Sequence, residues 1–249
     1  MVDSSYNEPR LVALYDEDNA GQWDTDFYAG LIGDKPLRVV DVGCGTGSFA
    51  VRLARAGHSV TGIDPASGML KVAQSRDGGE EVTWLEGTAA DLPPGPFDAA
   101  LMTGHAFQCL LTRDEILETL TEVHSRLVPG GRFYFETRNP AAKAWLEWDS
   151  GNTGPAIQES SAGPLEVEWE LIAVEDQDDG VMVTFEDRTV FLSDGERFIS
   201  RSTLKFVPAE VLKGLLARAG FLSVDWYGDW EGGGFVESSS REIIVAARR

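Results

Sequence analysis

The sequence predicts an α/β protein: a doubly wound, mainly parallel sheet that carries an inserted antiparallel β subdomain. Three observations predict it. Between residues 38 and 137, apolar strand patterns alternate with amphipathic helical ones, the signature of a parallel sheet with crossover helices on both faces. The first of these strands ends in an acid and breaks into three glycines, VVDVGCGTG at 39–47. Beyond residue 157 the pattern turns to long, half-polar, alternating segments, as antiparallel strands show.

Each element has its own signal. Residues 1–36 form an N-terminal helical cap, with DNAG as a turn inside it. Residues 38–43, VTGI at 60–63 and FDAALMT at 97–103 are buried strands. SFAVRLARAG places Phe49, Leu53 and Ala56 on one face, with Gly57 as its stop. ASGMLKVAQSR is a second crossover helix, and EVTWLEG a strand. RDEILETLTEVHSRLV turns Ile116, Leu117, Leu120, Val123 and Leu127 inward, PGG ends it, and RFYFETR is a fifth strand. LEVEWELIAV, VMVTFEDRTVFL and RFISRSTLKF, joined by EDQDDG and SDGE, are three antiparallel strands. PAEVLKGLLARAG is a helix with proline at its start and glycine past its end. LSVDWYGD and REIIVAARR close the chain as two strands. The expected organisation is the cap at 1–36, a core at 37–140 and 207–249, and the insert at 141–206 as substrate platform or homodimer interface.

Bulk properties narrow the function. The chain has 249 residues, 43% of them hydrophobic, which suits one sizeable domain with a small subdomain. Its formal net charge is −20, a field that repels phosphate backbones and acidic membranes. Nucleic acid and membrane are therefore not expected partners. No apolar run approaches the ~18–20 residues of a membrane span, and MVDSSYNEPR lacks the basic start of a secretory signal. A cytoplasmic protein is expected. Two cysteines, Cys44 and Cys109, and three scattered histidines offer neither a disulfide framework nor a metal site.

The glycine loop is the first functional signal. A dinucleotide site wants GxGxxG or GxGxxA. Here Gly43, Gly45 and Gly47 bring the third glycine one residue early, and Ser48 follows. A phosphate P-loop is excluded because no GKS or GKT follows. Asp41 precedes the loop at the carboxyl end of its strand. A carboxylate there repels a pyrophosphate and attracts a ligand that carries ammonium or sulfonium charge. Asp64 ends the second strand, where a ribose-binding acid belongs.

Together these residues resemble the class I S-adenosylmethionine-dependent methyltransferases. VVDVGCGTG matches that family's first motif, GIDPASGML its second, EGTAADLP its third and FDAALMTGHAFQCL its fourth, in order. RLVPGGRFYFE resembles the helix–turn–strand that follows. The resemblance covers residues 38–137 well and the last helix and strands loosely. It implies a Rossmann-like seven-stranded sheet of order 3-2-1-4-5-7-6 with the last strand antiparallel. It also implies S-adenosylmethionine as cofactor and S-adenosylhomocysteine as product. By the same resemblance Asp64 holds the ribose, Met69 lies near the adenine, Asp91 takes the adenine amino group, and Ala90 offers its amide. Asp41, Gly43, Gly45, Gly47 and Met102 line the cofactor, and Tyr15 closes over it.

Methyl transfer from a sulfonium is an in-line displacement, so alignment and water exclusion do most of the work. A base is required only where the acceptor must lose a proton. His105 follows the fourth strand at its carboxyl edge and is the base candidate, since imidazole ordinarily titrates near physiological pH. His58 reads as structural and His124 as exposed. TRNP at 137–140 reads as a turn from which Arg138 and Asn139 can face the cleft. Trp145, Trp148, Trp169 and Trp230 either line an acceptor pocket or pack the insert. The expected activity is methylation of an amine or hydroxyl on a small molecule. A non-catalytic S-adenosylmethionine-binding scaffold and an NAD-dependent oxidoreductase are the alternatives.

Overall fold

The computed structural model describes residues 4–148 and 154–249. Seven strands form its central sheet: β1 (Arg38–Val42), β2 (Ser59–Asp64), β3 (Thr83–Glu86), β4 (Phe97–Met102), β5 (Leu127–Arg138), β10 (Ser223–Tyr227) and β11 (Glu242–Arg248). Their order across the sheet is β3-β2-β1-β4-β5-β11-β10. The first five are parallel, and β11 runs antiparallel between β5 and β10. The order and the reversed last strand agree with the expectation.

Both faces of the sheet are buried, which is why its strands read as apolar runs. Along β11, Ile243, Val245 and Ala247 face one core with α5 (Arg113–Arg126) and α6 (Ala209–Ala219). Ile244 and Ala246 face the other, with α2 (Trp23–Ile32) and α3 (Ser48–Arg55). α4 (Ser67–Ser75) packs through Met69 against Val12 of α1 (Pro9–Asp18). Among the described residues, no helix is long and apolar enough to cross a membrane.

Two expectations need correction. PGG does not simply end a helix: α5 stops at Arg126, and β5 begins at Leu127. Phe97 pairs with Leu127 but Ala99 with Arg132, so residues 128–131 are looped out as a bulge. His124 is half-buried rather than exposed. Its ring meets Phe221 edge-on at 5.1 Å where α5 packs on α6, and burial holds its pKa below the ordinary value.

The insert is a separate four-stranded antiparallel sheet. β7 (Leu165–Gln177), β8 (Gly180–Phe191) and β9 (Arg197–Phe206) are the three expected strands. β6 (Ala156–Gln158) is a fourth that its short length conceals in the sequence. The four pair in chain order, β6-β7-β8-β9. One face of the sheet carries a charge ladder in which Arg188 reaches Glu168, Glu170 and Glu186. Helix α1 bridges insert and core. Arg10 lies 3.6 Å over the Phe191 ring, and the Thr46 hydroxyl of the glycine loop donates to Asp16 at 2.6 Å.

Candidate active site

The site lies at the carboxyl edge of β1, β2 and β4, the crevice where ligands bind in such sheets. Strand β1 delivers Asp41 and then turns through Gly43, Gly45 and Gly47, all at positive φ. A Cβ on Gly47 would strike Trp84 at 2.3 Å, so this glycine is needed for packing. At Gly45 the nearest atom to an added Cβ is a Tyr15 ring carbon 4.0 Å away. That position leaves backbone bare toward open space, as a ligand cradle requires.

Asp64 locks the loop. Its Oδ2 accepts from the Gly45 amide at 2.8 Å, and its Oδ1 from the Ala66 amide at 2.8 Å. Burial raises its pKa, and those two amides oppose the rise. Asp41 is 1% exposed, and its Oδ1 has no partner among the described residues. Burial, with the charges of Asp64 and Glu136 added, pushes its carboxyl up to about 7. Buried polar groups are normally hydrogen-bonded. A lone buried carboxylate oxygen beside a bare glycine turn fits a cationic ligand.

The other predicted cofactor residues fall around this cradle. Tyr15 stands over Gly45 from α1. Burial and then the charge of Asp64 push its hydroxyl up to about 12. Met69 is 3% exposed and lies under Val12 and Tyr15 rather than open to the crevice. Ala90 and Asp91 are exposed on the turn after β3. Asp91 Oδ2 already accepts from the Thr88 amide at 2.9 Å as part of a capping box. Met102 closes β4 as part of the core. Cys44 is deprived of nucleophilic character, because burial pushes its thiol up.

His105 follows Thr103 and Gly104 in the turn that leaves β4, and its own backbone sits at φ 59. The left-handed region costs a residue with a Cβ roughly 1–2 kcal/mol, and such strain collects at functional sites. Two contacts hold it here. The His105 amide donates to Glu136 Oε1 at 2.6 Å, and its Nε2 lies 3.0 Å from Glu242 Oε2. Glu136 is fully buried and also accepts from the Tyr28 hydroxyl at 2.5 Å. Burial pushes the Glu136 carboxyl up, and the His105 and Tyr28 contacts oppose the rise. A carboxylate can only accept, which assigns the shared proton to Nε2 of His105; in the neutral imidazole Nδ1 is then the acceptor. Because φ is positive at 105, H105G is expected to be more stable than H105A by about 1 kcal/mol. Urea unfolding of the two variants checks this, and equal stabilities would show that the left-handed turn carries no strain.

Glu136, Tyr28 and Glu242 are the residues that the sequence reading misses. Glu136 has a usable signal: like Asp41, it is an acid near the carboxyl end of an apolar strand. Of the remaining candidates, His58 is buried and takes the Leu37 amide at 3.3 Å, a structural role. Asn139 is buried and donates to the carbonyls of Glu237 and Ser240, each at 2.7 Å. It therefore anchors a turn instead of facing the cleft. Arg138 faces Gln108 and Trp148. The four tryptophans do not share one pocket. Trp145 and Trp148 pack against Phe206, whereas Trp230 packs on Phe27 and Tyr28. Trp169 lies at the surface of the insert, 36% exposed. Among the described residues, no group of three or more His, Cys, Asp or Glu could hold a metal ion.

Comparison with known proteins agrees with this geometry. Residues 39–131 match the methyltransferase domain family. The putative methyltransferase YqeM of Bacillus subtilis (strain 168) is 28% identical over 224 residues, covering 88% of this chain and 84% of YqeM. The ubiquinone biosynthesis O-methyltransferase of Chromobacterium violaceum is 38% identical over 130 residues, and the match spans 49% of this chain and about half, 51%, of that enzyme. A crystal structure of an S-adenosylmethionine-dependent methyltransferase from Clostridium acetobutylicum ATCC 824 superposes with a TM-score of 0.74 at 16% identity, over 96% of this chain and 97% of the other, and shows the shared fold. Glycine cradle, strand order and matched domain agree: residues 39–131 are similar to the methyltransferase domain family, in a fold shared with S-adenosylmethionine-dependent methyltransferases.

Proposed function

We propose that the protein transfers a methyl group to an amine or hydroxyl of a small molecule, with His105 as the base. The observation that carries this reading is the His105–Glu242 pair beside the glycine cradle, with Nδ1 of the imidazole left to accept a proton. When bound, S-adenosylmethionine supplies an electrophilic methyl group on a sulfonium. Gly43, Gly45 and Gly47 would leave room for its amino-acid part, and Asp41 would meet its positive charge. Asp64 would hold the ribose hydroxyls, while Ala90 and Asp91 would flank the adenine with Met69 behind them. Tyr15 would shield the reacting groups from water, and Met102 would back the site from the core. His105 takes the acceptor's proton at Nδ1, and Glu242 steadies the imidazolium that results. Glu136 and Tyr28 hold the His105 backbone so that the ring stays in place. The insert would form the acceptor platform, tied to the cradle through α1.

The test is transfer of radiolabelled methyl from S-adenosylmethionine to a panel of phenols, amines and amino sugars. Turnover of at least one acceptor, reduced about 10²- to 10⁴-fold in H105A, is the expected result. Cofactor binding without transfer to any acceptor would favour a binding scaffold. Transfer undiminished in H105A would remove His105 from the chemistry.

A further inference from the structure

We propose that Arg138 is an oxyanion subsite for the methyl acceptor, which therefore carries a carboxylate or phosphate close to its nucleophilic atom. The inference rests on the methyl-transfer reading and adds the acceptor's chemical class.

Arg138 closes β5 at the same edge of the sheet as His105, and it is partly buried. Its Nη1 donates to Gln108 Oε1 at 2.8 Å, and its guanidinium carbon lies 5.0 Å from the Trp148 ring centroid. Both partners are neutral. Most of the other arginines pair with a carboxylate, for example Arg38 with Asp98 and Arg132 with Asp225, each at 3.0 Å. In a chain with 41 acidic residues, Arg138 has no carboxylate within 4.0 Å among the described residues.

The guanidinium is nevertheless built into place. Gln108 is 0% exposed, and its Nε2 reaches the Lys205 carbonyl at 3.4 Å, so the amide is fixed at both ends. Guanidinium has five N–H donors and cannot be deprotonated in a protein. One donor is used here, and the planar fork suits two-point contact with a carboxylate or phosphate. Burial lowers the Arg138 pKa, and the charges of Glu242 and Glu136 offset part of that. Those carboxylates are already engaged by His105 and Tyr28.

Strand register places the subsite beside the base. Arg138 and Glu242 are directly opposed across β5 and β11, and Glu242 binds His105. Opposed residues have Cβ atoms about 4.5–5.5 Å apart. An acceptor held by Arg138 with its nucleophile at His105 therefore joins two neighbouring positions at one edge of the sheet. The net charge of −20 repels anions in general, so retention of this acceptor depends on the local cation.

The test is calorimetric titration of the protein saturated with S-adenosylhomocysteine. The ligands are the three hydroxybenzoates, 2-aminobenzoate and phenyl phosphate, each against a neutral counterpart, the corresponding amide or phenol. At least one anion is expected to bind about 10- to 100-fold tighter than its neutral counterpart. A carboxylate preference and a phosphate preference separate the two sources of the oxyanion. R138Q is expected to abolish the preference and R138K to keep part of it, with S-adenosylhomocysteine affinity unchanged and thermal unfolding confirming that both variants fold. No anion preference in the wild type, or a preference that survives R138Q, overturns the proposal. Parallel loss of S-adenosylhomocysteine affinity in R138Q also overturns it, because it would place Arg138 in the cofactor site. A wild-type protein that does not bind S-adenosylhomocysteine at all would instead refute the underlying methyl-transfer reading.

Discussion

Replacing Glu136 by alanine is expected to destabilise the fold by about 3–5 kcal/mol. Glu136 is fully buried and accepts two hydrogen bonds, from Tyr28 at 2.5 Å and from the His105 amide at 2.6 Å. E136A leaves the buried Tyr28 hydroxyl and the part-buried His105 amide unpaired, each at about 1–3 kcal/mol, and adds a small cavity. E136Q is the control. Its amide oxygen still accepts from the His105 amide, and its NH₂ can donate to the Tyr28 oxygen, so the loss should be about 1 kcal/mol. Urea unfolding at equal pH compares the two. Equal destabilisation would show that cavity and shape matter and that the paired donors do not. Methyl transfer should fall with E136A as well, because His105 then loses one of the two contacts that hold it.

The second large effect concerns Asp41. Its carboxyl rises from 3.8 to about 7 in the folded protein, chiefly through burial. The folded state therefore binds a proton more tightly than the unfolded one. Stability is undiminished by this group below pH 3.8 and falls as pH rises toward 7, then stays level. At 1.36 kcal/mol per unit, a shift of about three units is worth at most about 4 kcal/mol. D41N removes the titration. It should match the wild type near pH 4 and exceed it by about 2–4 kcal/mol at about pH 8. The same variant should bind S-adenosylmethionine more weakly, since the charge that meets the ligand is gone. Thermal unfolding across pH, read beside calorimetric binding, tests both halves. A D41N protein that is less stable than wild type in mild base would contradict this account of the buried carboxylate.

The two acids also show what is legible in the sequence. Asp41 can be read because its signal is local: a β-branched run, an acid, then glycines. The alternation of strands and helices predicts a parallel sheet by the same kind of signal, whereas the strand order is what the resemblance of the four motifs implies. Glu136 lies in YFETR, and its meaning depends on Tyr28, 108 residues away, which no local pattern connects to it. Glu242 becomes functional only when β11 is known to run antiparallel beside β5 and to bring it to His105. His124 reads as exposed because its own helix has a polar side there, yet Phe221, just past α6, covers it. The PGG bulge is hidden because glycine and proline signal a stop and a bulge alike. The tryptophans are identifiable as anchors, but which surface each one anchors is set by tertiary contact.

The glycine cradle is expected to take S-adenosylmethionine. Isothermal titration of the purified protein with S-adenosylmethionine, S-adenosylhomocysteine, NAD and NADP tests it most directly. Binding of the first two alone is expected, lost in D64A and weakened in D91A. Binding of NAD or NADP in their place would contradict it and make the loop a shortened dinucleotide site.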